Sequence, residues 1–260
     1  MIREAFVTYA NASYLRLSEV LVRGLAHFST RPVVVYGVGT EIDYDAPNLI
    51  KREIGDRSGE ILIAKQRILA ECGLERGVYL DADQVPNRGI DRLFAACGRA
   101  RDYPLAPRHP QELGPLRREL MAELGVARQT MPYVHACCMA FSGGCAAFFA
   151  ECYQVSQELA RRSGGGGPQR DEAIFNVMLW RRGATRQLPS CNIARRFAPL
   201  YLDGSYAADA DFAEHYGGHA YRFLSFHYGK DPAAAARLLE ALVALHGDGG
   251  GGGAGGGGRP

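Results

Sequence analysis

The apolar run Gly77-Val78-Tyr79-Leu80 breaks into Asp81-Ala82-Asp83. Burying a carboxylate without a partner costs several kcal/mol, so two acids closing an apolar strand ask for a counter-charge. In an extended backbone, alternate residues project to the same side. Asp81 and Asp83 would then both reach one hard divalent cation or its water shell. The structural alternative is a turn or helix-capping aspartate leading into Pro86-Asn87, which accounts for one acid more readily than for two. Two chemistries fit the pair. It can hold Mn2+ or Mg2+ on a diphosphate, or it can transfer a phosphoryl group with Asp81 as nucleophile and Asp83 as general acid.

The elements that must carry these acids alternate in type. Residues 5–10 read as a buried strand, 13–29 as a helix, and 32–38 as a second buried run rich in β-branched residues. A helix follows over 59–72, then a short strand over 77–80 that runs into the acid pair, a helix over 89–97 and a possible strand over 103–107. Residues 133–142 read as a strand and 144–161 as a helix, with the glycine run Gly164–Gly167 linking it to a helix over 171–181. Weaker strand signals lie at 186–188, 200–202 and 221–226, and 232–246 reads as a C-terminal helix. Repeated β-α-β units predict a single α/β domain with a mostly parallel central sheet flanked by helices. Such sheets bind ligands at the carboxyl ends of their strands, where Asp81 and Asp83 fall. A phosphotransferase would carry the pair on its first strand with a paired acidic motif downstream. Here it follows the third clear strand and no Asp-Asp pair comes later, which favours the cation reading.

Several segments, in order and covering most of residues 5–230, resemble the type-A (GT-A) glycosyltransferases, and within them the glycogenin and bacterial galactosyltransferase group numbered family eight. Phe6-Val7-Thr8-Tyr9-Ala10-Asn11-Ala12-Ser13-Tyr14 is similar to that family's first strand and nucleotide loop. The resemblance implies that Thr8, Tyr9 and Ala10 line the base, Asn11 contacts it and Tyr14 stacks on it. In Ile63-Ala64-Lys65-Gln66-Arg67 it implies that Lys65 points at the nucleotide sugar. Asp81 and Asp83 would be metal ligands, with Asp81 and Ala82 bordering the donor. Where the family has Asn-Ser-Gly, this chain has His135-Ala136-Cys137, a departure. Asp171-Glu172-Ala173-Ile174-Phe175-Asn176 resembles the family's Asp-Gln-x-x-x-Asn, which makes Asp171 and Glu172 the candidate catalytic pair; acids also suit a first helical turn through the helix dipole alone. In Ser225-Phe226-His227-Tyr228-Gly229-Lys230 the resemblance implies His227 as the third metal ligand and Gly229 and Lys230 at the diphosphate, on a spacing compressed relative to the family's. His219 competes for the same role.

What the resemblance implies is a metal-dependent transferase, taking Mn2+ (or Mg2+) and a nucleotide-diphosphate sugar, a UDP-sugar first, with transfer to a glycan or glycolipid hydroxyl and retention of configuration. The alternatives are a haloacid-dehalogenase-like phosphotransferase using Asp81 and a catalytically degenerate nucleotide-sugar binder. A sugar-nucleotide pyrophosphorylase would want a glycine-rich basic loop after the first strand, and Ala10-Asn11-Ala12-Ser13 is not one. A net charge of +2 with dispersed arginine pairs indicates no nucleic-acid partner. No stretch approaches the ~18 apolar residues of a membrane span, and the chain enters its first strand with no signal-like region, so a cytoplasmic enzyme is expected. Seven cysteines, an odd count without CxxC, predict buried reduced thiols rather than a zinc site. Of the 32 glycines, ten fall in residues 247–260 and four in Gly164–Gly167. The expected catalytic domain is therefore 1–246, with 247–260 a disordered tail and Gly164–Gly167 a mobile loop beside the sugar site.

Overall fold

The computed structural model describes residues 2–55, 63–86, 89–108, 115–162, 171–188, 224–225 and 231–246. Its centre is a five-stranded sheet in the order β3-β2-β1-β4-β6. These strands are β1 (Glu4–Ala10), β2 (Val33–Val38), β3 (Leu49–Ile54), β4 (Arg76–Leu80) and β6 (Cys138–Ser142). The first four run parallel, and β6 runs antiparallel to β4, with Tyr79 opposite Met139. All six residues of β2 are buried, as expected of a strand covered on both faces.

Strand order reverses at β1. The chain moves outward from β1 through β2 to β3, then returns to lay β4 on the other side of β1. The carboxyl ends of β1 and β4 therefore flank a topological switch point, where open α/β sheets form their ligand crevice.

Period-2 alternation gives the sheet two distinct faces. On one, Phe6 of β1 meets Phe94 of α3 (Phe94–Cys97) edge-on at 5.0 Å. On the other, Tyr9 of β1 stacks on Tyr79 of β4 at 6.4 Å, and Phe141 of β6 meets Phe149 of α5 (Ala146–Arg162) at 5.8 Å. Helices α2 (Ala64–Glu71) and α6 (Asp171–Arg181) join α5 on this second face, Phe175 of α6 packing against Phe148 at 5.8 Å. A smaller cluster seals α1 (Leu15–Phe28) to the C-terminal helix α7 (Pro232–His246) through Leu17, Val20, Leu238 and Leu242. Val85 of β5 (Gln84–Val85) joins that cluster, and β5 pairs antiparallel with β7 (Leu224–Ser225). Helix α4 (Pro115–Glu123) completes the described elements.

The structure gives an α/β architecture with a mostly parallel sheet flanked by helices, as the alternation predicts. It also corrects several boundaries. The strand expected over 133–142 is confined to Cys138–Ser142, and residues 136–137 turn. Residues 103–107 form no strand, only isolated bridges from Leu105 to Ala140 and from Pro107 to Leu188, and the second of these is all that remains of the weak signal at 186–188. The helix expected over 89–97 is a 3-10 turn followed by the single turn of α3. Strand β3, helix α4 and strand β5 have no counterpart in the sequence reading. The expectations for Gly164–Gly167, residues 200–202 and the 247–260 tail lie outside the described residues. The six described cysteines are buried, and no disulfide joins any two of them. Among the described residues no helix is long and apolar enough to cross a membrane.

Candidate active site

Helix α2 presents Lys65, Ile68 and Leu69 on one face, at i, i+3 and i+4. All three are buried, so the face that packs the aliphatic pair also drives the Lys65 ammonium inward, over the Tyr79 ring at 5.1 Å. There Lys65 Nζ donates to Asp81 Oδ1 at 2.9 Å and to the carbonyl of Ala136 at 3.3 Å, and lies 3.6 Å from Asp171 Oδ2. Asp81 follows the last residue of β4, and Asp171 opens α6. Three distant segments thus converge beside the switch point.

Tyr79 is part of the same cluster. It sits two residues before Asp81 on the inward face of β4, and its hydroxyl donates to Asp81 Oδ1 at 2.6 Å. Burial, and then the Asp81 carboxylate, push the Tyr79 phenol well above its ordinary value. Burial does the same to Tyr9, with Lys65 opposing and Asp81 and Asp171 reinforcing. Both phenols are therefore neutral donors at physiological pH. Burial pushes the Lys65 ammonium down, but the carboxylates of Asp81 and Asp171 outweigh it and hold the group well above 10.5. Lys65 is a permanent cation, and its buried setting excludes a solvated surface role.

Residues 134–137 tie the cluster together. Asn176, fully buried one turn into α6, pairs with Val134 as a strand neighbour would: its Oδ1 accepts the Val134 N–H at 2.7 Å and its Nδ2 donates to the Val134 carbonyl at 2.9 Å. Glu172 Oε2 accepts the Ala136 N–H at 3.2 Å and lies 3.1 Å from His135 Nδ1. The Cys137 carbonyl accepts the Asp81 N–H at 2.9 Å. Tyr133 bonds to Glu172 and lies under the Arg117 guanidinium at 3.8 Å, and burial raises its phenol.

The expected metal motif has a different backbone from the one its spacing suggests. Residues 82–83 turn rather than extend, and the Gln84 N–H closes the turn on the Asp81 carbonyl at 3.1 Å. Asp83 is buried, with its Oδ1 accepting from Gln84 Nε2 at 3.2 Å. Two carboxylates at one strand end are hard oxygen donors of the kind Mg2+ and Mn2+ take, and the bonds from Lys65 and Tyr79 both fall on Oδ1 of Asp81. Among the described residues no group of three or more His, Cys, Asp or Glu could hold a metal. His227, Gly229 and Lys230 lie outside the described residues.

The expected nucleotide residues divide. Tyr9 faces the Lys65 cluster. Thr8 and Ala10 are buried on the opposite side of β1, and the Thr8 hydroxyl has no hydrogen-bond partner among the described residues. Asn11 Oδ1 accepts the Tyr14 N–H at 3.1 Å, capping the 3-10 turn Ala12–Tyr14. The Tyr14 ring is half-buried against the α1/α7 cluster. Tyr79 and Tyr133 are the site residues that sequence reasoning passed over. Tyr79 carried a signal, since a hydroxyl two residues before an acid on a strand shares its face.

Comparison of the chain with family models and with curated proteins returns no match. Its own geometry carries the functional reading.

Proposed function

We propose that this chain is a metal-dependent glycosyltransferase of the GT-A kind, moving a sugar from a nucleotide-diphosphate donor, UDP-sugars first, to a hydroxyl of a glycan or glycolipid with retention of configuration. The observation that carries this reading is the meeting of Lys65, Asp81 and Asp171 within 3.6 Å at the β1/β4 switch point. Those residues come from three segments that resemble glycosyltransferase motifs independently of one another.

The described cluster sets the carboxylates of Asp81 and Asp171 against Lys65, with Asp83 in the turn two residues on from Asp81. A diphosphate approaching it meets repulsion unless a cation intervenes. Asp81 and Asp83 would hold a divalent ion, with His227 the proposed third ligand, and that ion would neutralise charge building on the departing diphosphate. Tyr79 and Lys65 fix the Asp81 carboxylate from one side, leaving its orientation toward the donor set in advance. Lys65 also holds Asp171 beside the same point, where its negative charge would stabilise the positive charge developing at the anomeric carbon. Lys230 is the proposed partner of the phosphates.

The test is donor hydrolysis and transfer with a panel of UDP-sugars, with Mn2+ and with chelator. Wild type turns over only with the ion, and Asp83→Asn abolishes turnover. Full activity in Asp83→Asn overturns the metal assignment, and trapping of Asp81 by metal fluoride replaces the reading with phosphoryl transfer.

A further inference from the structure

Asp171 and Glu172 are adjacent acids at the start of one helix, and the structure gives them different work. Successive helical residues point about 100° apart. Asp171 turns to Lys65, whereas Glu172 turns to residues 133–136. Its carboxylate takes the Ala136 N–H, the Tyr133 hydroxyl and the contact with His135 Nδ1. Asn176, one turn on along the same face, holds Val134 through both atoms of its amide and also donates to the Glu172 carbonyl at 2.9 Å. The segment so gripped is the one whose Ala136 carbonyl accepts from Lys65 and whose Cys137 carbonyl accepts the Asp81 N–H.

Resting on the glycosyl-transfer reading, we infer that Glu172 is a positioning residue. It latches residues 134–137 to α6, and through them sets Lys65 and Asp81 against Asp171, which alone of the acid pair faces the reacting centre. The Glu172 carboxylate is turned to the backbone and side chains of residues 133–136, whereas Asp171 is the acid that lies 3.6 Å from Lys65 Nζ. His135 Nδ1 stands between the Glu172 carboxylate and the Cys137 N–H at 3.2 Å. It serves one of them at a time, as donor to the first when protonated or as acceptor of the second when not. The amide of the latch is therefore the constant contact and the imidazole the adjustable one.

The experiment compares Glu172→Gln, Glu172→Ala and Asp171→Asn in the full chain. Two readouts are taken: residue-resolved exchange of the Ala136 amide, and kcat and KM for Mn2+-dependent UDP-sugar hydrolysis. Gln keeps an oxygen for the Ala136 N–H, so Glu172→Gln holds amide exchange and kcat within about threefold of wild type. Glu172→Ala accelerates Ala136 exchange about tenfold, the factor for one hydrogen bond of ordinary net strength. Its kcat falls about tenfold to a hundredfold, as misplacement of a reacting constellation by about an ångström does, while KM stays within about threefold. Asp171→Asn loses activity with Ala136 exchange unchanged. If Glu172→Gln is as inactive as Glu172→Ala while Ala136 stays protected in both, Glu172 touches the reacting atoms and the inference is overturned. Unchanged exchange in Glu172→Ala overturns it equally. Should Glu172→Ala not fold, Glu172→Asp, one methylene shorter, takes its place with the same expected exchange and kcat. Failure of wild type to turn over any nucleotide sugar refutes the glycosyl-transfer reading, and Ala136 exchange still decides the latch.

Discussion

Replacing Lys65 with methionine removes the ammonium that Asp81 and Asp171 share while keeping most of the length of the side chain. At an effective dielectric of about 20, a pair at the 2.9 Å of Lys65 and Asp81 carries roughly 6 kcal/mol of gross attraction. Most of that is offset by desolvation of an ammonium whose side chain is 7% exposed. Breaking a buried pair by removing one partner ordinarily costs about 3–5 kcal/mol. The carboxylates left behind are 23% and 26% exposed, so water partly compensates them and the lower end applies, about 3 kcal/mol. Trp180 is the chain's single tryptophan, buried with its indole N–H on the Met131 carbonyl at 3.0 Å, and reports unfolding by fluorescence. In urea the midpoint of Lys65→Met should fall by about 1–1.5 M at unchanged slope. The pH dependence sharpens the test. A folded-state ammonium held above 10.5 contributes stability that is present below the unfolded value and lost as pH rises through the folded one. The raised Tyr9 and Tyr79 phenols act in the same direction. Wild type should therefore lose stability above about pH 10, and Lys65→Met should lose it less steeply by about 1.4 kcal/mol per pH unit at the steepest. A destabilisation below about 1 kcal/mol at pH 7, with the alkaline limb unchanged, would refute the role of Lys65 as the shared counter-charge.

Three further outcomes test how the site is supported. Asn176→Ala strands the buried Val134 N–H and carbonyl, each worth about 1–3 kcal/mol when unsatisfied, so urea unfolding should show a loss of about 3 kcal/mol. Gly77→Ala places a methyl 2.1 Å from Phe141 Cζ between β4 and β6; a cost of about 1–3 kcal/mol is expected, and an unchanged midpoint would contradict the tight contact. Tyr14→Ala separates two roles: a lower Tm with unchanged UDP affinity assigns the ring to the α1/α7 cluster, whereas weakened UDP binding supports stacking on the base.

The strands flanking the switch point were legible because they are buried on both faces and read as continuous apolar runs, Ala5–Ala10 and Val78–Leu80 among them. The bounds of α6 and α7 were equally legible, the first from its paired acids at the N-terminus and the second from its alanine- and leucine-rich run. Strand β3 was not. It is an edge strand whose middle, Lys51-Arg52-Glu53, is exposed, and charge on an edge guards against pairing with other chains while erasing the apolar pattern. Residues 133–137 misled in the other direction. Their small apolar side chains suit a strand, but Val134 finds its backbone partner in the Asn176 side chain, a tertiary contact that no local pattern encodes. The acids of the site were visible as residue types at a strand end. That Lys65 would be their counter-ion follows only from α2 burying the face it shares with Ile68 and Leu69, and the turn at Asp83 depends on Gln84 closing it on the Asp81 carbonyl.

Metal-dependent nucleotide binding is tested by calorimetric titration of UDP, GDP and CDP into the wild-type chain, with Mn2+ and with chelator, repeated on Asp83→Asn. A nucleoside diphosphate, UDP foremost, should bind with Mn2+ present, and binding should be lost on chelation and in Asp83→Asn. Binding of the same strength without the ion and in the variant, or no nucleotide bound under any condition, would contradict metal-dependent nucleotide binding.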